Sequence, residues 1–245
     1  MRVVPQKFNP LFFVQNMPKG KLQKFAELPT MPNVFQNFSW QYPKLIGKDR
    51  QDIDFKGRWS ADYFQNNNPL WLELACGYGE YTMAIAQQNS AVNIIGIDIK
   101  GNRLWTGARF LLDNDLKNGA FLRTNINLLP HFFASGEVSE IWLTFPDPQN
   151  QAGKFKKRLS SAHFLAIYRQ IMPPNGIIHL KTDSQLLYEF TLETIAQEGC
   201  SLLADMPDLY DTPHSEQPLL DVKTRYEKLN LSGAKTIKYL KFCLE

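Results

Sequence analysis

From residue 69 onward the chain alternates short apolar runs with segments of helical spacing, and each apolar run stops at a polar or glycine-bearing turn. Leu70–Ala75 is closed by Gly77 and Gly79, Asn93–Ile97 by Asp98, and Ala120–Arg123 by Thr124 and Asn125. Glu140–Phe145 runs into Pro146-Asp147-Pro148, and Gly176–Lys181 ends at Thr182-Asp183. Between them Tyr81–Gln88, Arg103–Leu116, Leu128–Phe133, His163–Ile171 and Leu186–Ala196 read as helices. Strands this short and this continuously apolar are buried on both faces, which requires a parallel sheet covered by helices. Cys200–Ala204 and Ile237–Leu244 complete the pattern, so the expected fold is α/β, with a mostly parallel seven-stranded sheet and helices on both faces.

Composition bounds the rest. With 44% apolar and 13% aromatic residues in 245, the chain has enough apolar surface for one well-buried core and is too apolar to stay disordered. Cys76, Cys200 and Cys243 are too few and too scattered for a disulfide framework or a paired metal spacing. They suit a reducing, cytoplasmic setting. His131, His163, His179 and His214 share no ligand spacing, so no metal is expected. Trp71, Trp105 and Trp142 fall on strand or helix faces and read as core. No apolar run approaches the length of a membrane span, and Leu11–Val14 is too short for a signal peptide and lacks a cleavage-like site.

Residues 1–60 lack sustained periodicity and carry Pro5, Pro10, Pro18, Pro29, Pro32 and Pro43. They are expected to form an extended, loosely structured arm ahead of a catalytic domain at 61–245, with Met17 as a possible alternative start. The net charge of +3 divides unevenly: residues 1–60 hold 10 Lys and Arg against 4 Asp and Glu, whereas residues 61–245 hold 17 against 20. A second basic cluster stands at Lys154, Lys156, Lys157 and Arg158. A basic arm and a basic loop on a near-neutral body fit a polyanionic partner, or are ordinary solvated charges.

In open α/β sheets ligands bind beyond the carboxyl ends of the strands. The first end reads Glu73-Leu-Ala-Cys-Gly77-Tyr-Gly79. Its glycines let backbone approach a ligand at an electropositive helix start. A dinucleotide fingerprint needs a third Gly where Thr82 stands. An acidic residue four positions before a Gly-x-Gly turn instead suits S-adenosylmethionine, whose ammonium a carboxylate can face; a plain βα turn is the structural alternative. Asp98 can accept the hydroxyl protons of an adenosine ribose, or cap the helix after it. Asn125 can read the adenine edge, or cap its own helix. The fourth end, Thr144-Phe-Pro-Asp147-Pro148, holds a carboxylate between two prolines and is similar to the Asp/Asn-Pro-Pro-aromatic segment of methyltransferases that modify base nitrogens. The basic loop that follows would meet phosphates, with Phe155 either packed or stacked on a base.

Taken together, Leu72-Glu73-Leu-Ala-Cys-Gly77-Tyr-Gly79, Gly96-Ile-Asp98, Phe145-Pro-Asp147-Pro148, Lys157-Arg158, Thr182-Asp183 and Thr224-x-x-Glu227 resemble the bacterial tRNA (guanine-N(7)-)-methyltransferase family from about residue 70 to the end. The arm Lys19-Gly-Lys-Leu-Gln-Lys-Phe-Ala is similar to the N-terminus of one bacterial branch. The resemblance implies a Rossmann-like class I methyltransferase that transfers a methyl group from S-adenosylmethionine to N7 of guanine 46 in the variable loop of tRNA. It implies that Glu73, Gly77, Gly79, Asp98 and Asn125 hold the cofactor. Asp147 would be the active-site carboxylate and also touch cofactor. Asp183 and the stretch Thr224, Arg225, Tyr226 and Glu227 would contact tRNA. Two positions depart from the family: Gln149 stands where a large residue such as Trp is usual, and Gln151 replaces an expected substrate-contacting Lys, with Lys154 nearby as its substitute. The expected partners are tRNA, with no membrane and no metal, for a monomer or homodimer in the cytoplasm. Two other readings stay open. A class I methyltransferase of another nucleobase would be told apart by product mapping, and a non-catalytic tRNA-binding protein by failure to bind S-adenosylmethionine.

Overall fold

The computed structural model describes residues 20–151, 153–212, 214, 218–229, 233 and 236–245. Its centre is built as the sequence pattern demands. Strands β4 (Leu70–Leu74), β5 (Asn93–Asp98), β6 (Gly119–Arg123), β7 (Val138–Thr144) and β8 (Ile177–Thr182) are parallel, and β9 (Ser201–Met206) and β10 (Lys238–Cys243) close one edge in antiparallel fashion. Helices α2 (Glu80–Gln88), α3 (Gly101–Asp113), α4 (Leu129–Phe132), α5 (Ala162–Tyr168) and α6 (Gln185–Gln197) connect them. Leu72 pairs with Ile95 on one side and Ile141 on the other, so β4 runs down the middle of the sheet.

Alternation along each strand divides the core into two layers. Leu70, Leu72, Leu74, Ile95, Ile97, Ile141 and Leu143 face α4, α5 and α6. Ile94, Phe121, Trp142 and Tyr239 face α2 and α3, whose Leu104, Ala108 and Leu111 recur at helical spacing. The polar side chains Glu73, Thr144 and Lys181 occupy positions of that second face, under the cleft.

The seven expected strands are present, but among the described residues the sheet has ten, in the order β3-β2-β1-β6-β5-β4-β7-β8-β10-β9. The three additional strands, β1 (Val34–Gln36), β2 (Leu45–Ile46) and β3 (Asp52–Ile53), come from the segment expected to be a loose arm. Val34 pairs in parallel register with Phe121, and Phe35 packs edge-on against Trp59 at 5.1 Å. Trp59 is fully buried in a π-helical turn (Trp59–Tyr63) and donates its indole N–H to the Phe132 carbonyl at 2.9 Å. Helix α1 (Lys21–Glu27) packs on α3. Strands of two or three residues carry too few positions to show a period, and tertiary pairing forms them. The expectations for Met17 and the rest of residues 1–19 lie outside the described residues. A last helix, α7 (Arg225–Leu229), falls on the Thr224-x-x-Glu227 stretch.

Candidate active site

The chain leaves β4 for β5 on one side and returns to β7 on the other, so the strand order reverses between β4 and β7. That crevice is where α/β sheets bind ligands. A cavity of about 1010 Å³ opens there, spanning the carboxyl ends of β4 to β8. Its floor is made by backbone in an uncommon conformation. Ala75 (φ 55°) and Phe145 (φ 49°), each the first residue after β4 and β7, are left-handed, as is Gln149 (φ 50°). Left-handed non-glycine residues cost on the order of 1–3 kcal/mol and persist where surrounding structure holds them. Here they turn two neighbouring strand ends away from each other and open the crevice.

The two glycines of the first turn have separate roles. Gly77 (φ 57°) lines the cavity, and a Cβ built on it meets nothing within 4 Å. Gly79 (φ 76°) starts α2, and its Cβ would lie 2.5 Å from the ring of Phe121. Phe121 also fills the space over Gly96 and Gly107. Gly77 therefore leaves room for a ligand, whereas Gly79 leaves room for a neighbouring side chain.

Asp98 lies on the cavity wall and is oriented by backbone: its Oδ2 accepts from Gly77 N at 2.9 Å and its Oδ1 from Lys100 N at 2.8 Å. Beside it Ile99 presents an apolar side chain to the cavity, 57% exposed. Asn125 also lines the cavity, with Oδ1 accepting from Asn127 N at 2.9 Å, so it caps the short helix Ile126–Leu128. A glycine turn, a carboxylate on the cavity wall and an apolar neighbour fit S-adenosylmethionine.

Glu73 is placed otherwise than expected. It is fully buried beneath the turn, outside the cavity lining. Its Oε2 accepts from Thr82 N and Thr82 Oγ1, both at 2.7 Å, and its Oε1 accepts from Thr144 Oγ1 at 2.9 Å. Burial raises its pKa from 4.5 to about 7, against the lowering effect of the Thr82 hydrogen bonds. Glu73 ties β4, β7 and α2 together where the three meet.

On the opposite side Asp147 faces the cavity, its Oδ1 accepting from Gln149 N at 2.9 Å. Asp183, Thr224 and Tyr226 share the lining, as do Lys156 and Lys157 of the basic loop. Arg158 does not join them: it is 8% exposed, donates Nε to the Pro148 carbonyl at 2.9 Å, and lies over the Phe190 ring at 4.4 Å. It braces the Asp147 turn from within. Gln151 and Lys154 are outside the lining. So are Arg225, whose backbone N–H donates to Glu80 at 3.1 Å, and Glu227, whose carboxylate turns inward to Lys181. Thus Gly77, Asp98, Asn125, Asp147, Asp183, Thr224 and Tyr226 are brought together, and Glu73, Gly79, Gln151, Lys154, Arg225 and Glu227 are not.

Sequence reasoning missed Glu80, Arg103, Asn127 and His163, all on the cavity wall. His163 Nε2 lies 2.6 Å from Asn127 Oδ1. Arg103 and His163 lie on helices the sequence shows, whereas Glu80 and Asn127 fall just before the helices read there; in each case direction depends on how the helices dock. Among the described residues no cluster of three or more His, Cys, Asp or Glu could hold a metal, and no helix is long and apolar enough to cross a membrane.

The sheet order and the crevice define a class: this is the fold of S-adenosylmethionine-dependent methyltransferases. The 16S rRNA methyltransferase KamB superimposes with a TM-score of 0.59 at 14% identity, over 82% of this chain and 99% of that one. Residues 67–240 match a family model described as "Putative methyltransferase". The tRNA (guanine-N(7)-)-methyltransferase of Bacteroides fragilis is 46% identical over 230 residues, which cover 93% of this chain and 87% of that protein. That of Bacteroides thetaiotaomicron is 45% identical over the same shares. The chain belongs to the tRNA (guanine-N(7)-)-methyltransferase family.

Proposed function

We propose that this protein methylates N7 of a guanine in tRNA, with S-adenosylmethionine as donor and guanine 46 of the variable loop as target. One observation carries the reading: a single cavity is lined at one end by Gly77, Asp98 and Asn125 and at the other by Asp147, Asp183 and Thr224, with Lys156 and Lys157 at its wall. Gly77, Asp98 and Asn125 would hold the donor, which supplies an electrophilic methyl group on a positively charged sulfur.

Guanine N7 carries an in-plane lone pair, so the protein has no proton to remove from it. What remains is orientation and electrostatics. With the donor held by Gly77, Asp98 and Asn125, its methyl carbon would pass to the N7 lone pair and the carbon–sulfur electrons would stay on sulfur. The positive charge passes to the guanine ring. Asp147 holds the guanine N–H donors or offsets that charge, Asp183 and Thr224 position the base, and Lys156 and Lys157 meet phosphates. The target base has to leave the tRNA core to reach the cavity. Residues 61–245 form the catalytic domain and residues 1–60 a basic extension whose strands at 34–53 join its sheet, in a cytoplasmic monomer or homodimer.

The test is methyl transfer from labelled donor to an unmodified tRNA transcript, with the product nucleoside identified by mass spectrometry. N7-methylguanosine at the variable loop supports the reading. Label on another base or atom, or none, overturns it.

A further inference from the structure

The loop from Asn37 to Lys44 carries the largest exposed aromatic cluster among the described residues. Phe38 is 65% exposed, Trp40 62% and Tyr42 76%. Aromatic side chains at alternate positions of a short loop ordinarily bury themselves, and clustered exposed apolar area marks an interaction site. The loop is also held in shape. Asn37 Oδ1 accepts from Ser39 N at 3.3 Å and Lys44 N at 3.1 Å, Asn37 Nδ2 donates to Ser39 O at 2.9 Å, and Ser39 Oγ accepts from Tyr42 N at 2.9 Å. The three rings are displayed by a pre-organised turn.

The turn is anchored at the rim of the active-site cavity. Asn37 N donates to the Arg123 carbonyl at 2.9 Å, and Asn37 Nδ2 reaches Thr124 Oγ1 at 3.5 Å. Thr124 is itself a cavity-lining residue. The Arg123 guanidinium lies over the Phe25 ring at 5.2 Å and over the Phe38 ring at 6.0 Å. The loop belongs to the stretch that carries the excess of Lys and Arg, 10 against 4 acidic residues in 1–60. Exposed aromatic faces with the Arg123 cation at their base, beside a cavity, match the way proteins hold unpaired nucleotides, with rings stacking on bases and cations meeting phosphates.

We propose that Phe38, Trp40 and Tyr42 form a base-stacking platform for nucleotides of the tRNA substrate adjoining the methylated guanine. This rests on the tRNA-methylating reading above. Stacking on a bare aromatic face tolerates any base, so the platform contributes affinity and orientation rather than sequence selection.

The experiment measures binding of an unmodified tRNA transcript to the full chain by fluorescence anisotropy over a series of salt concentrations, with methylation by wild type run in parallel. W40A is expected to weaken tRNA binding roughly tenfold, and F38A/W40A/Y42A roughly a hundredfold, on the scale of base–aromatic stacking. W40F restores most of the affinity, because its ring still stacks. The slope of log Kd against log salt stays as in wild type, since no charge has been removed. Affinity for S-adenosylmethionine, read by titration calorimetry, also stays as in wild type and reports an intact fold. If wild type methylates tRNA and the triple variant binds tRNA within twofold of it, the platform is overturned and the activity stands. If the triple variant instead converts a dimer to a monomer with tRNA affinity unchanged, the face is a protein interface and the platform is likewise overturned. If wild type neither binds nor methylates tRNA, both readings fall.

Discussion

The ammonium of Lys181 lies 3.1 Å from Oε2 of Glu227, with the two side chains 1% and 5% exposed. The pair joins the end of β8 to α7. Lys181 also donates to the carbonyls of Leu220 at 2.9 Å and Val222 at 3.0 Å, and the Tyr210 hydroxyl donates to the other oxygen of Glu227. Burial pulls the Lys181 pKa down, and the Glu227 carboxylate opposes that shift. Lys181 therefore pins the stretch 218–229, which carries Thr224 and Tyr226 to the cavity. Removing one partner of a buried pair strands the other charge, at about 3–5 kcal/mol. K181M is expected to lower Tm by roughly 6–12 °C in a chain of this size. The apolar double variant K181M/E227L should recover much of the loss, because it strands no charge. Equal Tm values for the single and double variants in a thermal melt would contradict this account.

Glu73 sets a pH dependence of stability. Its folded pKa of about 7 lies above the value of 4.5 expected when unfolded. Between those values the folded state binds the proton more tightly, so stability declines as pH rises through that window and levels off above it. E73Q keeps the volume and removes the titration. In urea unfolding, E73Q should gain on wild type by roughly 3 kcal/mol in total between pH 4.5 and 7, with no further change up to pH 9. A difference that grew only above pH 7 would sink the assignment.

The division of labour between Gly77 and Gly79 predicts opposite phenotypes. An Ala at Gly77 takes a left-handed φ of 57° at a cost of about 1 kcal/mol and meets no neighbour. Its methyl group instead occupies cavity space, so calorimetry should record at least a tenfold loss of S-adenosylmethionine affinity with little change in Tm. G79A adds an overlap with Phe121 at 2.5 Å, and the combined cost is about 3 kcal/mol. It should lose stability first, which thermal unfolding without ligand reads directly.

Within the basic loop, charge and position separate. Lys156 and Lys157 line the cavity, whereas Arg158 is spent inside the fold on Pro148 and Phe190. K156A/K157A should weaken tRNA binding and reduce the salt slope by up to about 2, with an unchanged melt. R158A should lower Tm and alter the salt slope little.

D147A is expected to cut methyl transfer by about a hundredfold or more, the scale of removing one pre-organised electrostatic contact, while S-adenosylmethionine binding largely persists. Turnover close to wild type in a saturating tRNA assay would remove Asp147 from the mechanism.

Much of this was written in the chain's local pattern. The run Leu70–Leu74, the turn glycines and the acidic strand end at Asp98 specify a βα unit by themselves, because burial on both faces and a tight turn leave few alternatives. Thr144-Phe-Pro-Asp147-Pro148 announced a special strand end because two prolines fix the backbone around a carboxylate. What local pattern could not carry is direction. Glu73 alternates with Leu72 and Leu74, and only the packing of α2 decides that its carboxylate meets Thr82 and Thr144.

The sequence by itself determined the order of strands and helices from β4 to α6, the strand ends that form the crevice, and the residue types able to serve a sulfonium donor and a nucleobase. Tertiary structure alone decided that Val34–Gln36 lies beside β6, that Arg158 points inward while Lys156 and Lys157 face the cavity, and that Lys181 meets Glu227 across 46 positions. The reason is physical: periodicity and turn chemistry act over a few residues, whereas desolvation and long-range pairing depend on which surfaces the folded chain brings together.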